Sequence, residues 1–321
     1  MTRLNSGCVL CSWMPRVMIE TEGLTRRFDG LTAVESLSLT VRRGEIFGLL
    51  GPNGAGKTTT VRMLCCLLRP TGGTARVGGF DVTEEPMRVR EIVGLLPESP
   101  GLYGELSAYR NLDFYAKLYG VPEGRREENI RRLLKMLGLW ERRDDPVAIL
   151  SKGMQQKLAI VRAMIHDPEV VFLDEPTAAL APESAKIVRD FILELKREGR
   201  TIFLCTHNLY EAERLCDRVA IIKGRLIAVG SPGELERRMG LGRVEIQLRR
   251  VSRAVVAAVR RLPCVRSVRV SGRRLLVEVD DPESANPEIV EAIVRSGGKV
   301  CFVSRAAPAL EEAYLRLVGE K

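Results

Sequence analysis

Strand-like alternation begins near Val17 and runs through Met18-Ile-Glu-Thr-Glu-Gly-Leu-Thr-Arg-Arg-Phe28, with apolar and polar residues taking turns as on an antiparallel edge strand. Leu37-Ser-Leu-Thr-Val41 repeats the pattern and predicts a second strand, followed by a turn at Gly44. Glu45-Ile-Phe-Gly-Leu-Leu50 is a continuous apolar run instead, which predicts a buried strand. It leads straight into a glycine-rich stretch, behind which Val61 to Leu68 is expected to form a helix. Residues 99 to about 165 then turn helical in spacing. Asn111 to Tyr119 and Glu127 to Leu137 are predicted helices, broken by Gly120-Val-Pro122 and Gly138. Beyond them come a strand at Val170 to Leu173, an amphipathic helix at Glu183 to Glu198, a strand at Thr201 to Cys205 and a helix at Tyr210 to Cys216. Val219-Ala-Ile-Ile222 and Leu226-Ile-Ala-Val229 predict a hairpin about Lys223-Gly-Arg225.

A boundary is expected near Gly240-Leu-Gly242. After it the pattern predicts strand Val244 to Leu248, helix Ser252 to Leu262, strand Val265 to Val270 and strand Leu275 to Val279. Helix Glu288 to Ser296, strand Lys299 to Val303 and a closing helix Leu310 to Leu317 follow. This βαββαβ order is the split-βαβ, ferredoxin-like arrangement. The expected division is therefore 1–17 as an extension with little structure, 18–240 as an α/β domain and 243–321 as a small α+β domain. A natural start at Met14 or Met18 fits the same division, and residues 1 to 17 match no targeting signal.

Composition narrows the class. With 321 residues, 45% hydrophobic and 28% charged, the chain is globular and large enough for two domains. The net charge of +9 comes without a dense basic block and with only 5% aromatic residues, so no nucleic-acid partner is expected. A generally cationic surface accounts for it, and attraction to anionic lipid headgroups is the sharper alternative. Of the eight cysteines, Cys65, Cys66 and Cys205 fall in apolar runs and read as core, which suits a reducing compartment. Cys8 and Cys11 form a C-x-x-C without a second pair at zinc spacing.

The glycine-rich stretch carries the first clear chemistry. Gly51, Pro52, Asn53, Gly54, Ala55, Gly56, Lys57, Thr58 and Thr59 fit the phosphate-loop pattern, with a strand before and a helix after. Glycines let successive N–H groups converge on phosphate oxygens, and the helix N-terminus adds positive potential. Lys57 is expected to reach the β- and γ-phosphates, and Thr58 to offer its hydroxyl to Mg²⁺. Asp174 ends an apolar strand, where a buried carboxylate needs a partner such as that ion. Glu175 is expected to point the opposite way.

Leu150-Ser-Lys-Gly-Met-Gln-Gln156 lies between this loop and the Asp174-Glu175 strand, and that order resembles the ATPase subunit of an ATP-binding cassette (ABC) transporter. The resemblance implies a P-loop NTPase cassette with a mixed sheet, an antiparallel edge and a helical insertion. It implies that Ser151, Gly153 and Gln155 of one subunit close over ATP held by another. Glu175 then becomes the general base, His207 the switch residue at the γ-phosphate, and Phe28 the ring that stacks on adenine. Glu98 occupies a position where most of the family carries Gln and is implied to sense Mg²⁺ and the attacking water. His166 lies in no motif and is expected to end a helix.

Leu96-Pro-Glu-Ser-Pro-Gly-Leu-Tyr-Gly-Glu-Leu106 and the tail Pro308 to Leu317 resemble the drug-export, ABC-2 branch. That implies a separate transmembrane permease, since no stretch here approaches the ~18 apolar residues a span needs. It also implies a second ATPase subunit and a place on the cytoplasmic face of the membrane. The alternatives are an ABC importer ATPase and a soluble ABC protein acting on ribosomes or DNA. One departure stands out: Ala178-Ala-Leu-Ala-Pro182 replaces the usual Ser-Gly-Leu-Asp-Pro, so the carboxylate expected to bridge two subunits is absent at Ala181.

Overall fold

A computed structural model describes residues 17–97, 101–178, 180–238 and 242–305, together with Tyr314. Two compact units emerge: one runs up to His207 and adds Ile222–Leu226, the other comprises Asn208–Ile221 and the residues from Ile227 on.

The first unit opens with β1 (Val17–Phe28) and β2 (Leu31–Arg42), a long antiparallel hairpin joined by the Asp29-Gly30 turn. β2 starts six residues before the sequence pattern suggests. Its first residues are exposed and carry no alternation, yet Phe28 pairs with Leu31 and Arg27 with Thr32. β3 (Ile46–Leu50) follows, buried at every position, and then α1 (Lys57–Leu64). This helix starts four residues earlier and stops four earlier than expected. Its first turn belongs to the phosphate loop, and Cys66 at φ 57° ends it in the left-handed region. Cys65 and Cys205 are buried as core, whereas Cys66 is only half-buried.

β4 (Gly72–Val77) and β5 (Phe80–Asp81) complete an antiparallel sheet in the order β2-β1-β4-β5. After α2 (Pro86–Ile92) comes β6 (Val93–Leu96), then the helical insertion of α3 (Ala108–Leu118), α4 (Glu123–Met136) and α5 (Lys152–Met164). β7 (Val170–Asp174), α6 (Pro182–Arg197) and β8 (Thr201–Thr206) close the unit. Strands β3, β8, β7 and β6 lie side by side in parallel. Both faces are covered, which is why their sequences read as unbroken apolar runs. Phe203 sits at the middle of this sheet, its ring 5.7 Å from Phe47 and 5.4 Å from Phe172.

Two side chains pin the insertion, and neither belongs to a motif. Asn111 is fully buried; its amide donates to the carbonyls of Tyr103, Leu106 and Ser107 and its Oδ1 accepts from the Tyr103 N–H at 2.9 Å. His166 follows α5, as a helix-end residue should, and stacks flat on Tyr119 at 3.8 Å while Nε2 donates to the Val93 carbonyl at 3.0 Å.

In the second unit, α7 (Leu209–Leu215) is followed by the strands β9 (Arg218–Lys223) and β10 (Arg225–Gly230), whose residues Ile222–Leu226 are counted with the first unit, and by α8 (Pro232–Arg238). The rest is β11 (Gly242–Leu248), α9 (Arg253–Arg260), β12 (Val265–Ser271), β13 (Arg274–Val279), α10 (Pro282–Arg295) and β14 (Val300–Arg305). The sheet order β12-β13-β11-β14, antiparallel throughout, is the ferredoxin-like topology expected from the pattern. Val244, Ile246, Val277, Val255 and Ile289 form its core. α10 starts six residues before the predicted Glu288, with Pro287 inside it. Asp281 caps the Glu283 N–H at 3.1 Å, and the buried series Ala285, Ile289, Ile293 repeats every four residues. That packing offsets the one hydrogen bond the proline removes. The predicted helix at Leu310 to Leu317, the residues before Val17 and Glu98 all lie outside the described residues. Among the described residues no helix is long and apolar enough to cross a membrane.

Burial pushes the His166 imidazole down to about 4, against the opposing pull of the Val93 carbonyl and Asp167. An unfolded chain protonates this side chain near pH ~6.5, so folded stability declines as pH falls through the window from there to about 4. His166→Gln, which keeps a donor for Val93, should shrink that decline by up to about 1.4 kcal/mol per pH unit within the window. Urea midpoints of both proteins across pH 4–7 measure the difference; parallel curves would contradict it.

Candidate functional site

β3, β6, β7 and β8 point their carboxyl ends the same way, and the loops that follow them carry the candidate chemistry. In open parallel sheets ligands bind at this edge. Glycine is obligatory at two places in the loop after β3. A Cβ on Gly51 would lie 2.5 Å from the Ile222 carbonyl oxygen, and one on Gly56, at φ 95°, 2.5 Å from that of Ala33. The Gly224 N–H donates to the Ala55 carbonyl at 3.0 Å and clasps the loop from behind. Lys57 Nζ donates to the carbonyls of Gly51 at 2.7 Å and Pro52 at 3.1 Å, so the buried ammonium spans the mouth of the loop. No side chain caps α1, whose first-turn N–H groups face the loop.

Thr58 Oγ1 donates to Asp174 Oδ2 at 2.7 Å, joining the first turn of α1 to the end of β7. The next residue corrects the alternation argument. Glu175 adopts φ 48°, a left-handed conformation that costs a non-glycine residue about 1–2 kcal/mol. The turn brings Glu175 onto the same wall as Asp174 rather than away from it. Together with Phe28, Leu31, Ala33 and residues 53–59, both carboxylates line one cleft of 560 Å³.

The strained conformation is fastened from β8. The Glu175 N–H donates to the Cys205 carbonyl at 3.0 Å. Its Oε1 accepts from the His207 backbone N–H at 3.0 Å and faces His207 Nδ1 at 2.7 Å, and Oε2 accepts from Thr206 Oγ1 at 3.3 Å. With the carboxylate as acceptor, Nδ1 carries the proton in this contact. Glu175 is thus a held carboxylate beside a phosphate-binding loop, and His207 is tied to it while remaining largely exposed.

Ser151, Gly153 and Gln155 do not join this cleft. Ser151 N-caps α5 by accepting from the Met154 N–H at 3.2 Å, and Gln155 Nε2 donates to the carbonyls of Val147 and Leu150, both at 3.0 Å. A Cβ on Gly153 would lie 3.4 Å from Leu180. A single chain therefore unites the glycine loop, Phe28, Asp174 and Glu175, with His207 tied to Glu175, and holds Ser151, Gly153 and Gln155 on the separate helix end that Ser151 caps. Sequence reasoning missed Leu31 and Ala33, whose signal was the Phe28-to-Leu31 hairpin, and Thr206, whose hydroxyl beside His207 was readable. Among the described residues no group of three or more His, Cys, Asp or Glu could hold a metal. Asp174 with the Thr58 hydroxyl is a pair of hard oxygen donors, fitting an ion that brings phosphate oxygens as its other ligands.

Ala181 is the N-cap of α6 and offers no side-chain hydrogen bond there. Ala181→Asp should therefore raise stability by about 0.5–1 kcal/mol through capping alone. A parallel rise in ATP turnover or its Hill coefficient would report the cross-subunit contact as well. Unchanged unfolding midpoints would contradict the capping account, and no change in both turnover and Hill coefficient the missing contact.

Residues 34–178 match the family model described as ABC transporter. Over 311 residues the chain is 38% identical to the daunorubicin/doxorubicin resistance ATP-binding protein DrrA of Streptomyces peucetius, covering 95% of this chain and 93% of that protein. It is 36% identical over 314 residues to the Nod factor export ATP-binding protein I of Ralstonia nicotianae, with 95% and 94% covered. It is 32% identical over 309 residues to the linearmycin resistance ATP-binding protein LnrL of Bacillus subtilis, with 94% and 98% covered. A solved structure described as the ATP binding subunit of an ABC transporter matches with a TM-score of 0.65 at 34% identity, over 70% of this chain and 94% of that one. Matching proteins of this kind along almost its whole length, the chain belongs to the ABC transporter family as one of its ATP-binding, ATP-hydrolysing subunits.

Proposed function

We propose that this chain drives an ABC-2-type exporter, two cassettes closing over two ATP molecules at the cytoplasmic face of a membrane. The observation that carries the reading is the split between the two halves of the site. The 560 Å³ cleft is lined by Phe28, residues 53–59, Asp174 and Glu175, while Ser151 and Gly153 stand on a helix end outside it. Closure by a second cassette would supply that other side. The export direction rests on relatives whose names describe drug resistance and Nod factor export.

In this reading Phe28 takes the adenine, and the N–H groups of residues 53–59 with Lys57 take the phosphates. Mg²⁺ would be held by Thr58 and Asp174, offsetting phosphate charge when ATP is bound. Glu175 accepts the proton of the attacking water, and its hydrogen bonds from residues 206 and 207 fix the carboxylate for that task. His207 orients Glu175 and meets the γ-phosphate. Glu98 is proposed to sense the metal and the attacking water.

A separate permease must supply the pathway. Its proposed seat is a 420 Å³ groove lined by Leu67, Met87, Leu118 and Tyr119, all exposed apolar side chains. The segment 243–321 is proposed as an accessory domain that tunes dimerisation or membrane docking.

Glu175→Gln should keep its affinity for Mg-ATP and lose hydrolysis by about a hundredfold or more, because geometry survives and only proton acceptance goes. Lys57→Ala should weaken binding itself. Residues 18–240 alone should bind ATP as the full chain does, since every nucleotide motif lies there. Equilibrium titration and phosphate release measure all three. Wild-type turnover in Glu175→Gln would remove Glu175 from the role of base, and failure of the 18–240 piece to bind would show that the two segments share one core.

A further inference from the structure

We propose that Arg26 is a positioning residue for the base of the nucleotide: its guanidinium backs the Phe28 ring so that a purine meets a ring already fixed relative to the phosphate loop. This rests on the reading that Phe28 receives adenine.

Arg26 and Phe28 are two apart on β1, with a register shift between Arg26 and Arg27. Arg26 Cζ lies 4.5 Å from the centre of the Phe28 ring, within the range of a cation–π contact. Phe28 is 40% exposed and lines the cleft, whereas Arg26 is half-buried and does not. The guanidinium therefore lies over a ring that reaches the cleft, while Arg26 itself is not part of the cleft lining.

Arg26 is itself anchored. Its Nη1 donates to the Arg69 carbonyl at 2.8 Å, and its buried Nε has no hydrogen-bond partner among the described residues, so the π face is the electron-rich group beside it. The anchoring segment comes just after α1, the helix that starts at Lys57. The same segment is strapped to β1: the Thr71 N–H donates to the Thr25 carbonyl at 2.8 Å, and the Arg27 N–H donates to Thr71 Oγ1 at 3.1 Å. Ring, guanidinium, strap and phosphate helix thus form one connected frame. Without Arg26, a ring at the exposed end of a strand would choose among rotamers, and a ligand would bear the cost of ordering it.

The test compares equilibrium binding of Mg-ATP with that of inorganic triphosphate, which has no base, on the full chain. Arg26→Ala should weaken ATP about threefold to tenfold and leave triphosphate unchanged. In turnover the KM for ATP should rise while kcat moves far less, and Arg26→Lys, which restores a cation, should recover part of the loss. In a Phe28→Ala background Arg26→Ala should add nothing. Unchanged ATP affinity in Arg26→Ala, or equal weakening of ATP and triphosphate, would overturn the proposal while leaving Phe28 in place. If Phe28→Ala itself bound ATP as tightly as wild type, the base would not lie on this ring, and both readings would fall together.

Discussion

One hydrogen bond, from the Thr58 hydroxyl to the Asp174 carboxylate at 2.7 Å, organises the site. Asp174 is only 3% exposed, at the end of a strand whose other four residues are fully buried hydrophobics. A carboxylate in such a place is costly unless it is paired. Thr58 satisfies it and in doing so fixes the first turn of α1 against β7, which sets the glycine loop beside Asp174. The dry parallel sheet beneath makes the arrangement stiff, because Phe47, Phe172 and Phe203 leave those strands little room to shift.

A second constraint is strain. Glu175 holds a left-handed backbone that few non-glycine residues adopt, and hydrogen bonds from Thr206 and His207, together with one to Cys205, retain it. Strain of this kind is affordable where a carboxylate must reach a cleft that regular strand geometry would turn it away from. The residue cast as switch is at the same time the clamp on the residue cast as base. Any movement of the loop after β8 is thereby felt at Glu175.

Much of this was readable from residues alone, for physical reasons. Buried strands announce themselves as apolar runs, and the glycine loop is constrained by close backbone approach, so Gly51 to Thr59, Asp174 and the buried strands beside them were legible. The ferredoxin-like order was equally legible, since each strand of that small sheet keeps one face in the core. What was hidden depends on non-local partners. Nothing in local pattern shows that Asn111 staples a loop, that Pro287 sits inside a helix held by Ala285, Ile289 and Ile293, or that Glu175 turns back toward Asp174. Ala181 illustrates the same limit: sequence comparison flags a missing carboxylate, while the fold adds that the position is a helix cap.

In the proposed function one chain grips the nucleotide by itself but completes the catalytic site only with the start of α5, Ser151 and Gly153, from another cassette. Gly153→Asp tests this most directly, with ATP affinity and ATP turnover measured on the same preparation. The expected result is unchanged affinity, because Gly153 stands outside the cleft, with turnover reduced by about a hundredfold or more. Affinity falling in step with turnover would mean that the signature helix belongs to the binding site of its own chain, and the divided site would have to be abandoned.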